Sequence, residues 1–407
     1  MLLFQVGENW VSKRDKIRND LRGSQDSLET KRKRYYHALL EWGESKCQVM
    51  QVGKKVKVPE EWELGEKKIK NTTSYKYLDD TITNDNKNKA NLQMRENKIQ
   101  AVVRQINTTA SSEVMQKVES RVFLVLYDRC ILTSILNNCE SWTLTKSDED
   151  QINKIGIKTI KRLFSLPTTT PSAAILHSFG LLHLSQAVDQ KRFLYLHKVL
   201  NRENQNWTSL MLRHLRALNI GWAKSISEKL LEYQLETDWE KIKSKSKNEW
   251  KQNVEEAVNN LSRKKLIDSC TTTTPQGLKI NAKTKHTHTQ LTSAAYKREP
   301  LKEIIQGDRQ WAKTMILSRH GMLECGANFK GTMREECVDC GVSDNEHHRL
   351  NDCTKFAEMN RACTPEKCSF DDIYSNDADT LKRIVREVEK IWEFRYASGK
   401  MKKPDQR

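Results

Sequence analysis

Cys337, Cys340, His348 and Cys353 follow one another as C-x2-C-x7-H-x4-C, with Gly341 directly after the second cysteine. Two thiols separated by two residues can grip one ion from a tight turn. A small residue behind that turn lets backbone N–H groups point at the sulfurs. The spacing therefore predicts a small module closed on one structural Zn2+ by the histidine and the third cysteine. His347 stands one position from His348, so either imidazole can serve as the third ligand.

With 407 residues the chain is long enough for two or three domains and a core of its own, so a metal need not be its only source of stability. Lysine and arginine total 70 against 53 acidic residues, a net charge of +17 spread over most of the length. Such an excess points to a polyanionic partner, an ordinary solvated surface being the alternative. Seven of the ten cysteines lie outside the motif, at Cys47, Cys130, Cys139, Cys270, Cys325, Cys363 and Cys368. Cys130 and Cys139 sit in apolar stretches, where a free cysteine packs as a small hydrophobe. This usage predicts a reducing intracellular site, nuclear or cytoplasmic. The apolar start within residues 1–10 is short, and the longest apolar run, 122–127, is far below the length of a membrane span. No signal peptide, membrane anchor or small-molecule substrate is expected.

The hydrophobic pattern predicts a mainly α chain with a small N-terminal antiparallel β unit and a small C-terminal zinc module. Residues 1–45 read as a charged helical segment, amphipathic through Tyr35, Leu39 and Leu40. Its run Lys31 to Arg34 fits a nuclear address or a solvated helix face. Residues 46–83 carry short alternating runs at 47–52, 62–69 and 74–82, the texture of a β unit. Within 84–268 the periodicity is helical. Leu92, Ile99, Val102, Val103 and Ile106 mark one helix and 114–136 a second, predicted to form a helical hairpin. Ser147 with Asp150 three positions on resembles a capping box for a helix burying Ile152, Ile155, Ile160 and Leu163. Helical patterning resumes over 173–182 and 184–200 beyond the threonine-rich turn between Pro167 and Pro171. Trp239, Ile242, Trp250, Val254, Val258 and Leu261 mark one long charged helix. The threonine tract 271–274 opens a predicted linker over 269–298. Residues 299–370 then hold the zinc module, after a helical stretch over 300–319, and 371–407 a closing helix and tail.

Several segments together resemble non-LTR retrotransposon reverse transcriptases of the endonuclease-bearing type. Residues 42–50, 62–64 and 73–83 (TSYKYLDDTIT) are similar to the end of the palm and the primer grip. Residues 138–148 (NCESWTLTKSD) and 160–170 (IKRLFSLPTTT) resemble the thumb, and the cysteine motif the C-terminal knuckle. The resemblance implies a chain that starts after the catalytic palm motifs: a multi-helix thumb-like bundle, a linker and a CCHC knuckle, without its own polymerase centre. The family is an RNA-directed DNA polymerase, and Tyr77-Leu78-Asp79-Asp80 has the Y-x-D-D form that such enzymes use to hold two magnesium ions. In the family, however, the segment aligned here reads Tyr-Leu-Gly, so Asp79 takes the place of a turn glycine and no Mg2+ site is expected. Two-metal phosphoryl transfer also needs a further carboxylate from a separate strand.

A thumb holds a duplex by its phosphates, which calls for cations on one face and little sequence preference. Lys154, Lys158, Lys161 and Arg162 are the candidates, with a solvated helix face as the alternative. By resemblance Lys76, Tyr77 and Leu78 approach the primer end, though Tyr77 and Leu78 can equally be hairpin core. Arg349, Lys355 and Phe356 beside the knuckle suit phosphate contact and base stacking, against a purely structural clip. The partner implied is RNA or an RNA/DNA hybrid, and DNA as a further candidate. A host-derived interaction scaffold without a nucleic-acid role is the rival reading. Lys403-Pro404-Asp405 resembles an element of some retroelement endonucleases but lacks the further acidic and basic residues of a nuclease. Cys363 and Cys368 read as structural or incidental.

Overall fold

The computed structural model describes residues 2–4, 47–50, 61–64, 67–77, 80–85, 87–110, 118–202, 206–274, 277–320 and 322, together with 336–337, 340–343, 348, 353, 380, 383 and 386. The predicted helix over 12–41, and all but Arg383 and Arg386 of the closing helix, lie outside these residues. So do Cys325, Cys363, Cys368 and 403–405. The chain divides into two units, Met1–Asn97 and Lys98–Arg407.

The first unit is built from antiparallel pairs. Strand β1 (Leu2–Phe4) pairs with β2 (Cys47–Val49), β3 (Glu61–Leu64) with β4 (Lys67–Lys70), and β5 (Ser74–Tyr77) with β6 (Asp80–Thr83). The alternating runs 62–69 and 74–82 thus each hold two paired strands, in keeping with the antiparallel β unit read from them. Leu64 faces Lys67 and Tyr77 faces Asp80, each pair joined by two residues. The first helix, α1 (Lys89–Ala110), buries Leu92, Ile99, Val103 and Ala110 at helical spacing. Its first turns clasp the β5–β6 hairpin. Arg95 Nη2 lies 2.5 Å and Asn91 Nδ2 3.0 Å from Asp80 Oδ1, while Asn91 Oδ1 accepts the Thr81 N–H at 3.3 Å.

The second unit is helical. Helix α2 (Ser120–Leu126) runs through a π-helical stretch, Tyr127–Leu132, into Thr133–Ile135. Phe123, Tyr127, Ile131 and Ile135 face inward. Cys130 is exposed, against expectation, because the wider π turn rotates it away from the core, whereas Cys139 is buried as expected. Helix α3 (Lys146–Leu163) buries Ile152, Ile155, Ile160 and Leu163. Its capping box is formed by Thr145 and Asp148, two residues before the predicted pair: the Thr145 hydroxyl accepts the Asp148 N–H at 3.2 Å, and Asp148 Oδ2 accepts the Thr145 N–H at 3.0 Å. Next come α4 (Ser172–Ser178), α5 (Leu184–Leu200), α6 (Trp207–Ala217) and α7 (Gly221–Glu232). Gly156 is where α3 meets α5, since a Cβ there would lie 2.7 Å from Leu184 Cγ.

The single helix predicted from the tryptophan-rich stretch is two, α8 (Trp239–Ser244) and α9 (Lys247–Ser269). Ser246 breaks it by capping α9: its hydroxyl accepts the Glu249 N–H at 3.2 Å. Helices α5 to α9 enclose one core of Phe193, Leu196, Leu212, Ile226, Leu230, Trp239, Trp250 and Val254. Truncating Trp250, which also donates its Nε1–H to the Phe193 carbonyl at 2.9 Å, is expected to cost about 3–5 kcal/mol. A urea-unfolding midpoint unchanged in Trp250→Ala would contradict that core.

The segment expected as a linker is integral to this body. Strands β7 (Thr271–Thr274) and β8 (Gly277–Ile280) pair, and α10 (Lys285–Thr292) packs on α4 and α9. Cys270 and Leu291 share a core with Ala173, Leu176 and Leu266. Composition misleads here because threonine suits both polar loops and strands. Beyond it, α11 (Lys302–Ile305) and α12 (Arg309–Arg319) pack on α2. Ser120 donates its N–H to the Gly307 carbonyl at 2.7 Å and its hydroxyl to that of Asp308 at 2.6 Å, and Arg309 lies over the Phe123 ring. These late helices, rather than α1, supply the main partners of α2, unlike the predicted hairpin.

Candidate metal centre

Cys337 begins a hairpin-like turn. Glu336 and Ser343 bridge antiparallel, the Cys337 N–H reaches the Val342 carbonyl at 2.7 Å, and the Gly341 N–H returns to the Cys337 carbonyl at 2.8 Å. Gly341 has φ +69°, and nothing lies within 4 Å of where its Cβ would stand, so conformation alone demands glycine there. This turn brings Cys340 back beside Cys337. The Cys353 N–H bonds to the His348 carbonyl at 2.7 Å, which joins the second ligand pair in turn.

The four donor atoms lie within 4.8 Å of one another, and Cys337, His348 and Cys353 are buried. Cys337 Sγ and Cys353 Sγ are 3.8 Å apart. That is far beyond a disulfide bond of about 2.05 Å. It matches the roughly 3.8 Å expected for two sulfurs each about 2.3 Å from a tetrahedral ion. Cys340 Sγ lies 3.0 Å from His348 Nε2, so this imidazole presents its ε nitrogen to the cluster. The group can hold a metal ion. His348 is the histidine brought to it among the described residues, while His347 lies outside them.

The other predicted contact residues are distributed differently. Lys154, Lys158 and Arg162 are exposed on α3 at i, i+4 and i+8, one stripe along the helix. Lys161 departs from it: its ammonium donates to the Thr168 carbonyl at 2.5 Å, and burial lowers its pKa. It tethers the Pro167–Pro171 turn to the helix. Lys76 is exposed on β5, where it faces Thr81. Tyr77 stands opposite Asp80, while Leu78, Arg349, Lys355 and Phe356 lie outside the described residues.

Sequence reasoning missed two buried polar clusters. In the first, Arg192 Nη1 meets Asp189 Oδ1 at 3.1 Å, Tyr233 donates its hydroxyl to Asp189 Oδ2 at 3.1 Å, and Lys229 bridges Glu149 at 2.6 Å and Glu232 at 2.8 Å. In the second, His177, His286 and His320 gather around Arg319, which pairs with Glu303 at 2.8 Å. Burial pushes His177 and His320 down to about 4 and His286 to about 3, and Arg319 adds to each. The only local signal was the i, i+3 spacing of Asp189 and Arg192, common to any solvated helix.

Comparison with protein-family models, with curated proteins and with solved structures gives no match to the chain. Among the described residues no helix is long and apolar enough to cross a membrane.

Proposed function

We propose that the chain is a nucleic-acid-binding remnant of a non-LTR retrotransposon reverse transcriptase, with a helical thumb-like body, one structural zinc and no polymerase centre of its own. The observation that carries the binding role is the exposed stripe Lys154, Lys158 and Arg162 on a helix otherwise anchored in the core. Cations four residues apart can meet successive phosphates of RNA, an RNA/DNA hybrid or DNA without reading bases. The non-catalytic reading is supported by Asp80, whose carboxylate is already engaged by Arg95 and Asn91 and sits across a hairpin connection from Tyr77. Primer extension abolished by Asp79→Asn and Asp80→Asn would overturn it.

Three thiolates and one imidazole are the donor set of structural zinc sites, where a closed tetrahedron leaves no position for substrate. The zinc would hold the turn around Gly341 and the segment to Cys353 in one geometry. Purified chain is expected to release one equivalent of zinc on thiol modification, and Cys337→Ser to reduce it to background. Helical circular dichroism should persist in that variant, because the cores around Trp250 and around Leu291 include none of the four residues. Cobalt substitution without tetrahedral thiolate absorption would reject the site.

Binding of the full chain to a labelled RNA/DNA hybrid should weaken with salt. Neutralising Lys154, Lys158 and Arg162 together is expected to flatten the log–log slope by about 2–3, roughly one per lost phosphate contact. An unchanged slope, or no binding at moderate salt, would remove the stripe from the interface and favour the scaffold reading.

A further inference from the structure

Two long stretches of the chain carry no acidic side chain. Residues 151–188 span most of α3 and all of α4 and hold Lys154, Lys158, Lys161 and Arg162, while residues 269–298 hold Lys279, Lys283, Lys285, Lys297 and Arg298. Helix α4 packs on both α3 and α10, so folding brings the two stretches into one body. In the second stretch, Arg298 is spent inside the fold, donating to Asn259 Oδ1 at 2.6 Å and to the Gly180 carbonyl at 3.2 Å. Three lysines are not. Lys279 on β8, Lys283 in the 3-10 turn Ala282–Thr284 and Lys285 at the start of α10 are exposed, and among the described residues none of their ammonium groups has an ion-pair or hydrogen-bond partner.

The backbone beneath these lysines is fixed. Asn281 donates its N–H to the Cys270 carbonyl at 2.9 Å, and its side chain accepts the Lys283 N–H at 3.0 Å. Thr284, Thr287 and Leu291 are buried and anchor α10, which turns Lys285, His288, Thr289 and Thr292 outward at i, i+3, i+4 and i+7. We propose that β8, the turn after it and the outer stripe of α10 form a second phosphate-binding surface, holding the backbone of the nucleic acid that α3 contacts. The choice of polyanion rests on the function proposed above. Six residue steps of at most about 3.5 Å keep Lys279, Lys283 and Lys285 within roughly 20 Å, the rise of about six phosphates along one strand. Two cationic surfaces joined through α4 suit a long, evenly charged polymer better than a short acidic peptide. A lipid surface is disfavoured because Tyr296, the one Phe, Trp or Tyr of residues 269–298, stacks on His177 and lies under Arg263 instead of serving as an interfacial anchor. Leu278, 76% exposed, and Ile280, 41% exposed, share a face of β8 on which unpaired bases can rest.

The test titrates the full chain with a labelled RNA/DNA hybrid across a salt series. Lys279→Ala, Lys283→Ala and Lys285→Ala together are expected to flatten the log–log slope by about 2–3, and to add to the effect of neutralising the α3 row. The triple arginine variant at the same positions should keep the wild-type slope, since it preserves the charge. Acetylation read by mass spectrometry needs no substitution: the three lysines should react in the free chain and be protected when the hybrid is bound. An unchanged slope in the alanine variant, with the α3 variant still flattened, would sink this surface and leave the nucleic-acid reading standing. No binding by the unmodified chain would remove both. An arginine variant that behaves like the alanine one would show that the lysines act through the fold, which refutes the proposal. Alanine-sensitive binding to phosphatidylserine vesicles, with the hybrid slope unaffected, would reassign the surface to a membrane and refute it equally.

Discussion

Asp189→Ala is expected to destabilise the helical body by about 3–5 kcal/mol, close to the whole stability of many domains. The side chain is buried between Arg192 and Tyr233, with Lys229 3.6 Å from its second oxygen. Removing it leaves the Arg192 guanidinium, itself fully buried, without its carboxylate, and the remaining Ser225 hydroxyl at 2.9 Å does not carry a charge. The cost is that of an orphaned buried ion rather than the net worth of the pair. Asp189→Leu combined with Arg192→Met should therefore recover most of the loss. Urea unfolding of the single and double variants gives the comparison. A loss below about 1 kcal/mol for Asp189→Ala would mean that water reaches the pair and that the cluster is a surface feature.

Acidification is expected to loosen the far end of the same body. His177 on α4, His286 on α10 and His320 after α12 are held neutral by burial, with Arg319 and one another opposing a proton. Glu303 is the one carboxylate that favours the charged form of His177. In the unfolded chain these imidazoles titrate near about 6.5. The unfolded state thus binds more protons below that value, and the stability present above pH 6.5 falls as the pH drops toward the folded values of about 4. One such histidine removes about 2 kcal/mol between pH 6 and 4.5, and further protons in the shared site add less each. Chemical denaturation at pH 7.5 and 5 should reveal the loss, and hydrogen exchange should place it first in α10 and α12. Performing both in the Cys337→Ser background separates it from acid release of the metal. His286→Gln should reduce the pH dependence while leaving stability at pH 7.5 nearly unchanged; equal stability at the two pH values would refute the account.

What the sequence made legible follows the range of the physics involved. The Cys337, Cys340, His348 and Cys353 cluster was readable because a C-x2-C turn is local and Gly341 marks the backbone conformation that closes it. Ile152, Ile155, Ile160 and Leu163 announced the inner face of α3 through a period that only nearest turns determine. The cap at Thr145 was misplaced because Ser147 offers the same chemistry two residues later, and tertiary packing chose between them. The tract 271–280 was misread because the packing of β7 on α9 is invisible to local composition. The buried ionic clusters were illegible for the same reason: Glu149 and Lys229 look like solvated helix charges until folding brings them to 2.6 Å.

The seam between α2 and α11–α12 has a consequence for how the protein is made. Ser120 bonds to Gly307 and Asp308, and Phe123 is covered by Arg309, so this part of the core cannot close until nearly two hundred further residues have been synthesised. A ribosome moving at about 5–20 residues per second would leave α2 waiting for roughly 10–40 seconds. During that interval Phe123 has its Phe164 neighbour but lacks the Arg309 cover, and Ser120 lacks both carbonyl partners. The distance from α2 to α12 along the chain, rather than the intrinsic folding speed of any helix, sets how long this seam stays open.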